Sequence, residues 1–339
     1  MPSTPIHVHS VGMVSAVGLK AATGSAAMRA GIQRIDDLPY LDDDRKPLRG
    51  STVSVLPSDL PASKRRLSLL TYALHDALQR YGVGVLERIP IIVALPAGLQ
   101  PEPHLVEHFA ADLSATSGVR IDPRNVRLMT RGSLGGYLAI ATARDLLAAG
   151  PVLVAATDSL VTARELLAHS KSRRLLTDAN TDGFVPAEAA ACLLLDRNPA
   201  GAVATVLGLG YGEEPGLPEN DVPLRSEGLT QAARGALREA DLDMNHMDFR
   251  LSDLTGEGYY FKEQALVVSR VLRQRKVDFP LWSCTTTLGY VGAAAGLCNL
   301  AWAIETAKRG AVPGRNAIAW AGGSGPGRAA LVLRCGSPN

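Results

Sequence analysis

Short apolar runs alternate with longer stretches rich in alanine and leucine along most of this chain. The short runs predict buried strands, whereas the longer stretches, with apolar positions repeating every three or four residues, predict helices. The predicted strands are 6–13, 89–95, 151–157, 189–196, 202–210, 249–254, 281–283, 317–321 and 329–333. The predicted helices are 18–30, 104–113, 135–149, 229–240, 262–273 and 292–307. This alternation indicates a layered α/β fold.

The order of predicted elements recurs in the two parts of the chain. Residues 211–228 are rich in glycine, proline and acids, which predicts a surface connection between the parts. The recurring order implies an internal pseudo-repeat, although residue-level similarity between the parts is too weak to see directly. We therefore predict an N-terminal half, residues 1–210, and a C-terminal half, residues 211–339.

Composition narrows the classes of partner. The chain has 339 residues, of which 46% are hydrophobic and 20% charged, so it has ample material for a core. The net charge is +2 with dispersed basic residues, which argues against nucleic acid as a partner. No apolar run reaches the ~20 residues of a membrane helix, and no signal peptide is evident. Four widely spaced cysteines (Cys192, Cys284, Cys298 and Cys335) fit a reducing compartment, so we expect a cytoplasmic protein.

Four segments carry a resemblance to a known family. They are VGMVSAVG at 11–18, RRLLTDANTDGFVPAEAAACLLL at 173–195, SCTTTLGYVGAAAG at 283–296 and AGGSGPGRAALVL at 321–333. In this order they resemble the β-ketoacyl-[acyl-carrier-protein] synthases of the thiolase superfamily, and DGFV together with GAAG is fairly specific. The resemblance implies a thiolase-like five-layered α-β-α-β-α fold of two pseudo-repeated halves. It also implies a homodimer that pairs through a strand near 125–129.

The resemblance further implies where catalytic residues would lie. Condensing enzymes attack a thioester with a cysteine at a helix N-terminus, and two histidines assist the second half-reaction. In this chain the cysteine position holds Ser133, and the histidine positions hold Asp253 and Tyr290. Thr285 stands where the family has a lysine, and Ser324 stands where it has a phenylalanine that gates the acyl pocket. All three catalytic positions are thus replaced.

The substituted residues lack the groups that condensation requires. A serine without an adjacent general base is a poor nucleophile, and an ionised Asp253 would repel a developing enolate. We expect Ser133 to cap its helix instead. Thr255 lies two residues after Asp253, and Tyr260 belongs to an aromatic run at the position of the family's substrate mouth. We therefore add Thr255 and Tyr260 to the expected pocket.

Two functions remain open. In the first, the chain is a non-catalytic, degenerate synthase-like protein that acts as a binding or assembly partner. Its partner would be an intact ketosynthase, as for a chain length factor, or a secreted effector, as for thiolase-like accessory proteins. In the alternative, it is an acyltransferase or acyl-thioester-binding enzyme of fatty-acid or polyketide metabolism. Ser133 would then accept an acyl group from an acyl-carrier protein or acyl-CoA.

Three other motifs in the sequence suggest different sites. His104, Glu107 and His108 spell HxxEH, the inverted zinc-peptidase motif, but a third ligand cannot be assigned from the sequence. GLGYG at 208–212 lacks the full spacing of a dinucleotide loop. GGSGPG at 322–327 lacks the lysine of a phosphate loop, and its glycines favour a tight turn. The sequence therefore indicates neither a cofactor nor a metal ion.

Overall fold

The computed structural model describes residues 4–99 and 104–337. Its strands are β1 (Ile6–Ser15), β2 (Asp36–Leu41), β3 (Pro47–Gly50), β4 (Ile91–Ala94), β5 (Val126–Met129), β6 (Val152–Ser159), β7 (Glu188–Asp196), β8 (Ala204–Glu213), β9 (Phe249–Ser252), β10 (Leu281–Trp282), β11 (Asn316–Gly322) and β12 (Gly327–Cys335). Its helices are α1 (Ala21–Arg29), α2 (Ala62–Ala77), α3 (Leu105–Ser117), α4 (Gly135–Leu146), α5 (Ala163–Lys171), α6 (Glu227–Glu239), α7 (Gly258–Val271), α8 (Thr285–Leu288) and α9 (Ala295–Ala307).

The strands other than β2 and β3 form two sets of five with the same topology. The N-terminal set has the order β5-β4-β6-β7-β1, and the C-terminal set has the order β10-β9-β11-β12-β8. In each set the first three strands are parallel and the last two are antiparallel to their neighbours. A short antiparallel ladder between β1 and β8 joins the sets. The two predicted pseudo-repeated halves are confirmed.

Side-chain alternation along the strands creates the layers of the fold. Successive residues of a strand point to opposite faces of its sheet. Ile91 and Val93 of β4 pack in one core with α2 and α3, whereas Ile92 and Ala94 pack in another with α4 and α9. The N-terminal sheet therefore has an outer helical layer and an inner one.

The C-terminal sheet repeats this arrangement. Ile318 and Trp320 of β11 pack outward with α6 and α7, whereas Ala317 and Ala319 face the same inner core as α4 and α9. Every residue of α9 from Ala295 to Thr306 is buried, because this helix lies between the two sheets. The layers thus run helix, sheet, helix, sheet, helix, and the predicted five-layered fold is confirmed.

Several features differ from the sequence predictions. The helices α2 and α5 and the β2–β3 hairpin were not predicted, because their apolar positions are interrupted by charged residues. The connection predicted at 211–228 is shorter, since β8 continues to Glu213 and α6 begins at Glu227. Its ends at Glu214 and Ser226 are fully buried, so it is not a surface loop throughout. Position 210 lies inside β8, and the division of the chain there remains a prediction.

None of the helices in the described part of the chain combines the length and apolar character that crossing a bilayer requires.

Candidate functional site

Ser133 lies in the middle layer, at the start of α4. Gly132, with a φ of 54°, begins a short 3-10 turn that leads into this helix. Ser133 is buried, and its Oγ lies 2.7 Å from Oη of Tyr290. The first residue flanking α4 is Leu134, and no side chain caps the helix. The expectation that Ser133 caps its helix is wrong, because its hydroxyl is hydrogen-bonded to Tyr290 instead.

Tyr290 is held in place by the DGFV segment. Its backbone N–H donates to the carbonyl of Val185 at 2.8 Å, and its own carbonyl accepts from the N–H of Ala187 at 3.0 Å. Its ring packs edge-on against Phe184, with 5.0 Å between the ring centroids. Burial, followed by the nearby Asp253 carboxylate, raises the pKa of Tyr290 above its ordinary value. The phenol is therefore a hydrogen-bond donor at neutral pH rather than a phenolate base.

Asp253 follows β9 at the end of the C-terminal sheet. Its Oδ2 accepts a hydrogen bond from the backbone N–H of Gly322 at 3.0 Å. Burial raises the pKa of Asp253 to about 7, an effect that the Gly322 hydrogen bond and the Arg328 charge partly offset. Its carboxyl group is thus divided between protonated and ionised forms near neutral pH. In the protonated form it can donate a hydrogen bond, which an ionised carboxylate cannot.

An ion pair brings Thr255 and Tyr260 into the same region. Arg174 binds Glu257 through two hydrogen bonds of 2.7 and 2.9 Å, and Thr255 donates to the same carboxylate at 2.6 Å. The Arg174 guanidinium lies 5.3 Å from the centroid of the Phe184 ring and 3.5 Å from the Tyr260 hydroxyl. Burial alone would lower the pKa of Arg174, but the hydrogen-bonded Glu257 raises it above its ordinary value. The Arg174 guanidinium is therefore fully charged.

Among the described residues, the remaining predicted pocket residues, Thr285 and Ser324, make no hydrogen bond to Ser133 or Tyr290. Thr285 is half-buried, and its hydroxyl contacts Ser283 at 2.8 Å and the carbonyl of Leu254. Ser324 is exposed on the turn between β11 and β12 and makes no side-chain hydrogen bond to the described residues. Arg328 fixes this turn from inside by donating to the carbonyls of Gly325 and Gly327.

Sequence reasoning missed a second buried acid, Asp158 of the N-terminal half. Asp158 ends an apolar strand, and its Oδ2 accepts from the backbone N–H of Ala293 at 2.9 Å, at the turn that leads into α9. That turn begins at Gly292 with a φ of 52°, as Gly132 begins the turn before α4. Burial raises the pKa of Asp158 to about 6. The available signal was an acid directly after the apolar run that predicts strand 151–157.

Arg174 and Glu257 were also missed, although Arg174 belongs to the 173–195 segment that carries the resemblance.

Five surface clefts stand out in the described residues, and none of them is lined by Ser133, Asp253 or Tyr290.

The HxxEH motif does not form the helical pair that it suggests. His104 has a φ of 62° and precedes α3, so it is not part of the helix, although its ring centroid lies 6.4 Å from that of His108. Across residues 4–99 and 104–337, no three His, Cys, Asp or Glu side chains lie close enough together to hold a metal ion.

Comparison with solved structures identifies the fold. A chain from the complex of a ketosynthase with its chain length factor from Xenorhabdus doucetiae matches over 98% of both chains, at 16% identity and a TM-score of 0.74. The chain has the ketosynthase fold. A β-ketoacyl synthase from Burkholderia phymatum STM815 matches over 98% of this chain and 100% of its own, at 18% identity and a TM-score of 0.75.

A third match has a higher TM-score. It is a chain from the complex of a type II PKS acyl-carrier protein with its ketosynthase. The match covers 99% of this chain and 100% of that one, at 14% identity and a TM-score of 0.79. No protein-family model matches the sequence, and no curated protein matches it. Identities this low establish the ketosynthase fold alone, because proteins of one fold can differ in function.

Proposed function

We propose that this ketosynthase-fold protein does not catalyse condensation and acts as a binding or assembly partner, in the manner of a chain length factor. The observation that carries the proposal is the buried hydrogen bond between Ser133 and Tyr290. The positions that the resemblance assigns to a nucleophile and a histidine are here bonded to each other.

The chemistry of the neighbouring groups supports the loss of catalysis. Activating a serine requires a base that removes its proton. Tyr290 has a raised pKa and is protonated at neutral pH, so it does not serve as that base. Asp253 is hydrogen-bonded to the backbone of Gly322 rather than to Ser133. His169 contacts Phe184, and burial lowers the pKa of this histidine to about 4.

The structural neighbours support a partner role. Two of them are described as ketosynthases with a chain length factor. Among the strands of the described residues, β5 is at the edge of the sheet and pairs only with β4, and its residue Arg127 is exposed. An edge strand of this kind can add a strand from another chain. We propose that β5 pairs with a second protomer, in a homodimer or with an intact ketosynthase.

The pairing is tested by the native mass. Light scattering of the purified chain distinguishes a monomer from a dimer, and Leu128→Pro in β5 removes one backbone donor from the strand. We expect the parent to be dimeric, or to become dimeric with the ketosynthase, and the variant to be monomeric. Because Leu128 is half-buried, circular dichroism must first show that the variant is folded. A folded variant that is still dimeric would place the interface elsewhere.

A second candidate function rests on the same hydrogen bond. If Tyr290 donates to a substrate oxygen, it stabilises an oxyanion next to Ser133 at the N-terminus of α4. The Ser133 Oγ would attack the thioester carbonyl, the C–S bond would break, and the thiol would leave with the serine proton. The product would be an acyl-serine, as in an acyltransferase that accepts acyl groups from an acyl-carrier protein or acyl-CoA.

One experiment separates the two functions. Intact-protein mass is measured after incubation with acyl-CoA and acyl-carrier-protein thioesters of several chain lengths, with Ser133→Ala as the matched control. We expect no adduct on either protein. An acyl adduct on the parent that is missing from Ser133→Ala would contradict the non-catalytic proposal and establish acyl transfer.

A further inference from the structure

A groove rich in arginine runs between α6 and α7 on the outer face of the C-terminal half. Two adjoining clefts form it, and they share Arg234, Arg238 and Arg270. The remaining lining residues are Glu227, Thr230, Gln231, Leu237, Leu242, Asp243, Met244, Val271 and Arg273. Because α6 has 13 residues, the groove extends for about 20 Å along this helix.

The arginines of this groove have no acidic partner among the described residues. Within the part of the chain that the structure describes, Arg234, Arg238, Arg270 and Arg273 form no ion pair and no side-chain hydrogen bond. By contrast, Arg65 and Arg328 in the interior are each bound to a glutamate. The groove thus concentrates unpaired positive charge in a chain whose net charge is only +2.

The two acids at the ends of the groove do not neutralise the positive charge of its arginines. Asp243 accepts hydrogen bonds from the backbone N–H groups of Asn245 and His246, and it contacts the His246 ring. Glu227 lies at the other end, in the first turn of α6, and makes no ion pair with the described residues. Two acids at the ends face four arginines along the groove, so a ligand meets a positive surface.

The floor of the groove is apolar at one end. Leu242 and Val271 are half-buried there, above the buried Leu237 and Met244. Arginine contributes its aliphatic stem to such a surface while its guanidinium reaches outward. A ligand that covers this floor therefore needs apolar groups as well as negative charge, which phosphate alone and the backbone of a nucleic acid do not provide.

The arginines lie on the sides of helices, which also argues against a small anion such as phosphate as the ligand of the groove. Anion sites for phosphate commonly use free backbone N–H groups at a helix N-terminus. Arg234 and Arg238 lie in the later turns of α6, where the backbone N–H groups are bonded within the helix. Arg234 and Arg238 are four residues apart and share one face, so they fit two carboxylates that are one helical turn apart.

We propose that this groove binds an acidic amphipathic helix of a partner protein. Its glutamates and aspartates pair with the four arginines, and its apolar face covers Leu242 and Val271. The proposal does not rest on the proposed function, because the groove is on an outer layer and Ser133 is in the middle layer. The groove would be present equally if this chain were an acyltransferase that uses Ser133.

The test uses fluorescence anisotropy with labelled synthetic peptides and the full chain. The probe is an amphipathic helix of about 14 residues, roughly 20 Å long, with leucines on one face and glutamates on the other. The same peptide with lysines in place of glutamates is the charge control. A single-stranded RNA oligonucleotide, inorganic phosphate as competitor, and phosphatidylserine vesicles are measured in parallel.

Two double variants of equal charge change are compared. Arg234→Glu/Arg238→Glu reverses the groove, whereas Arg80→Glu/Arg88→Glu reverses two exposed arginines on the N-terminal half. We expect the glutamate peptide to bind the parent protein, with an affinity that falls as the salt concentration rises. Its affinity for the groove variant should be at least tenfold lower than for the parent. We expect the N-terminal variant to bind within twofold of the parent, and the lysine peptide not to bind.

Several results would overturn the proposal. Equal weakening by both double variants would show that net charge, rather than the groove, attracts the peptide. No binding of the glutamate peptide at low salt, or equal binding of the lysine peptide, would remove the acidic helix as the ligand. RNA or vesicle binding that is tighter than peptide binding and is lost with the groove variant would assign the groove to that ligand class instead.

Discussion

Gly210 of β8 and Ala232 of α6 are in such close backbone contact that a Cβ on the glycine would lie 2.0 Å from the alanine carbonyl oxygen. Gly12 of β1 has the same relation to Ala73 of α2, also at 2.0 Å. The first strand of each half therefore carries a glycine on which an outer helix packs directly. The GLGYG sequence at 208–212 is thus a helix-packing feature rather than a nucleotide loop.

Gly210→Ala is therefore expected to destabilise the fold. Overpacking of a core usually costs about 1–3 kcal/mol, and here the obstacle is backbone rather than a flexible side chain. We expect a loss of about 3 kcal/mol or more in the free energy of unfolding, measured by urea denaturation. Gly323→Ala is the control, because nothing lies within 4 Å of a Cβ there. Similar midpoints for the two variants would contradict the close contact.

Much of the fold could be predicted from the sequence because its strands are almost uniformly apolar. Strand 189–196 is predicted within one residue of β7, since both faces of that strand are buried and its residues are continuously apolar. The hairpin of β2 and β3 could not be found in this way, because most of its residues are exposed. The pattern of apolar residues identifies elements that are buried, so it does not predict elements that are mostly exposed.

The candidate site was predictable only in part, for a different reason. Ser133 and Tyr290 were identified through motif positions, and the structure places their hydroxyls in contact. Arg174 and Glu257 are 83 residues apart in sequence, and no local pattern reports that they form an ion pair. Ser324 was assigned by motif position as well, yet its side chain is exposed on a turn. Motif position gives the segment, but tertiary packing decides where each side chain points.

The Ser133–Tyr290 hydrogen bond predicts energetic coupling between the two residues. Tyr290→Phe leaves the Ser133 hydroxyl buried without its partner, which costs about 1–3 kcal/mol. Ser133→Ala leaves the Tyr290 hydroxyl unpaired in the same way. Replacing both removes the unpaired groups, so we expect the double variant to be about 1 kcal/mol more stable than the sum of the single changes predicts.

This double-mutant cycle is measured by urea unfolding at pH 7. A matched cycle of Thr71→Val and Thr116→Val tests an exposed hydroxyl pair at 3.2 Å, and we expect a smaller coupling there. Strict additivity of Ser133→Ala and Tyr290→Phe would show that the two hydroxyls do not interact in solution.

Asp253 predicts a pH dependence of stability with a defined sign. Its pKa is about 7 in the folded protein, above the ordinary value of 3.8, so the folded state retains a proton that the unfolded state releases. The stabilisation from Asp253 is complete below about pH 4 and is lost as the pH rises towards 7, at up to about 1.4 kcal/mol per unit. Asp253→Asn removes this dependence, so the variant gains stability relative to the parent between pH 4 and 7.

Urea midpoints for Asp253→Asn and the parent, measured at pH 4, 5, 6, 7 and 8, test this expectation. Asp158, with a pKa of about 6, titrates in both proteins, so the difference between them isolates Asp253. A difference that does not change with pH would show that Asp253 has the same pKa in the folded and unfolded states.

The buried ion pair between Arg65 and Glu188 predicts a large loss of stability when one of its charges is removed. Glu188 accepts hydrogen bonds from Arg65, from the backbone of Val53 at 2.7 Å and from Ser159 at 2.8 Å, and both charged side chains are almost fully buried. Glu188→Gln leaves the Arg65 guanidinium buried without a counter-charge, and breaking such a pair costs about 3–5 kcal/mol.

Asp178→Asn is the control, because its pair with Lys46 is exposed and its charge is solvated. We expect a large drop in the urea midpoint for Glu188→Gln and no measurable drop for Asp178→Asn. Equal midpoints would mean that water or another acid reaches Arg65, and that its burial between α2 and β7 does not hold in solution.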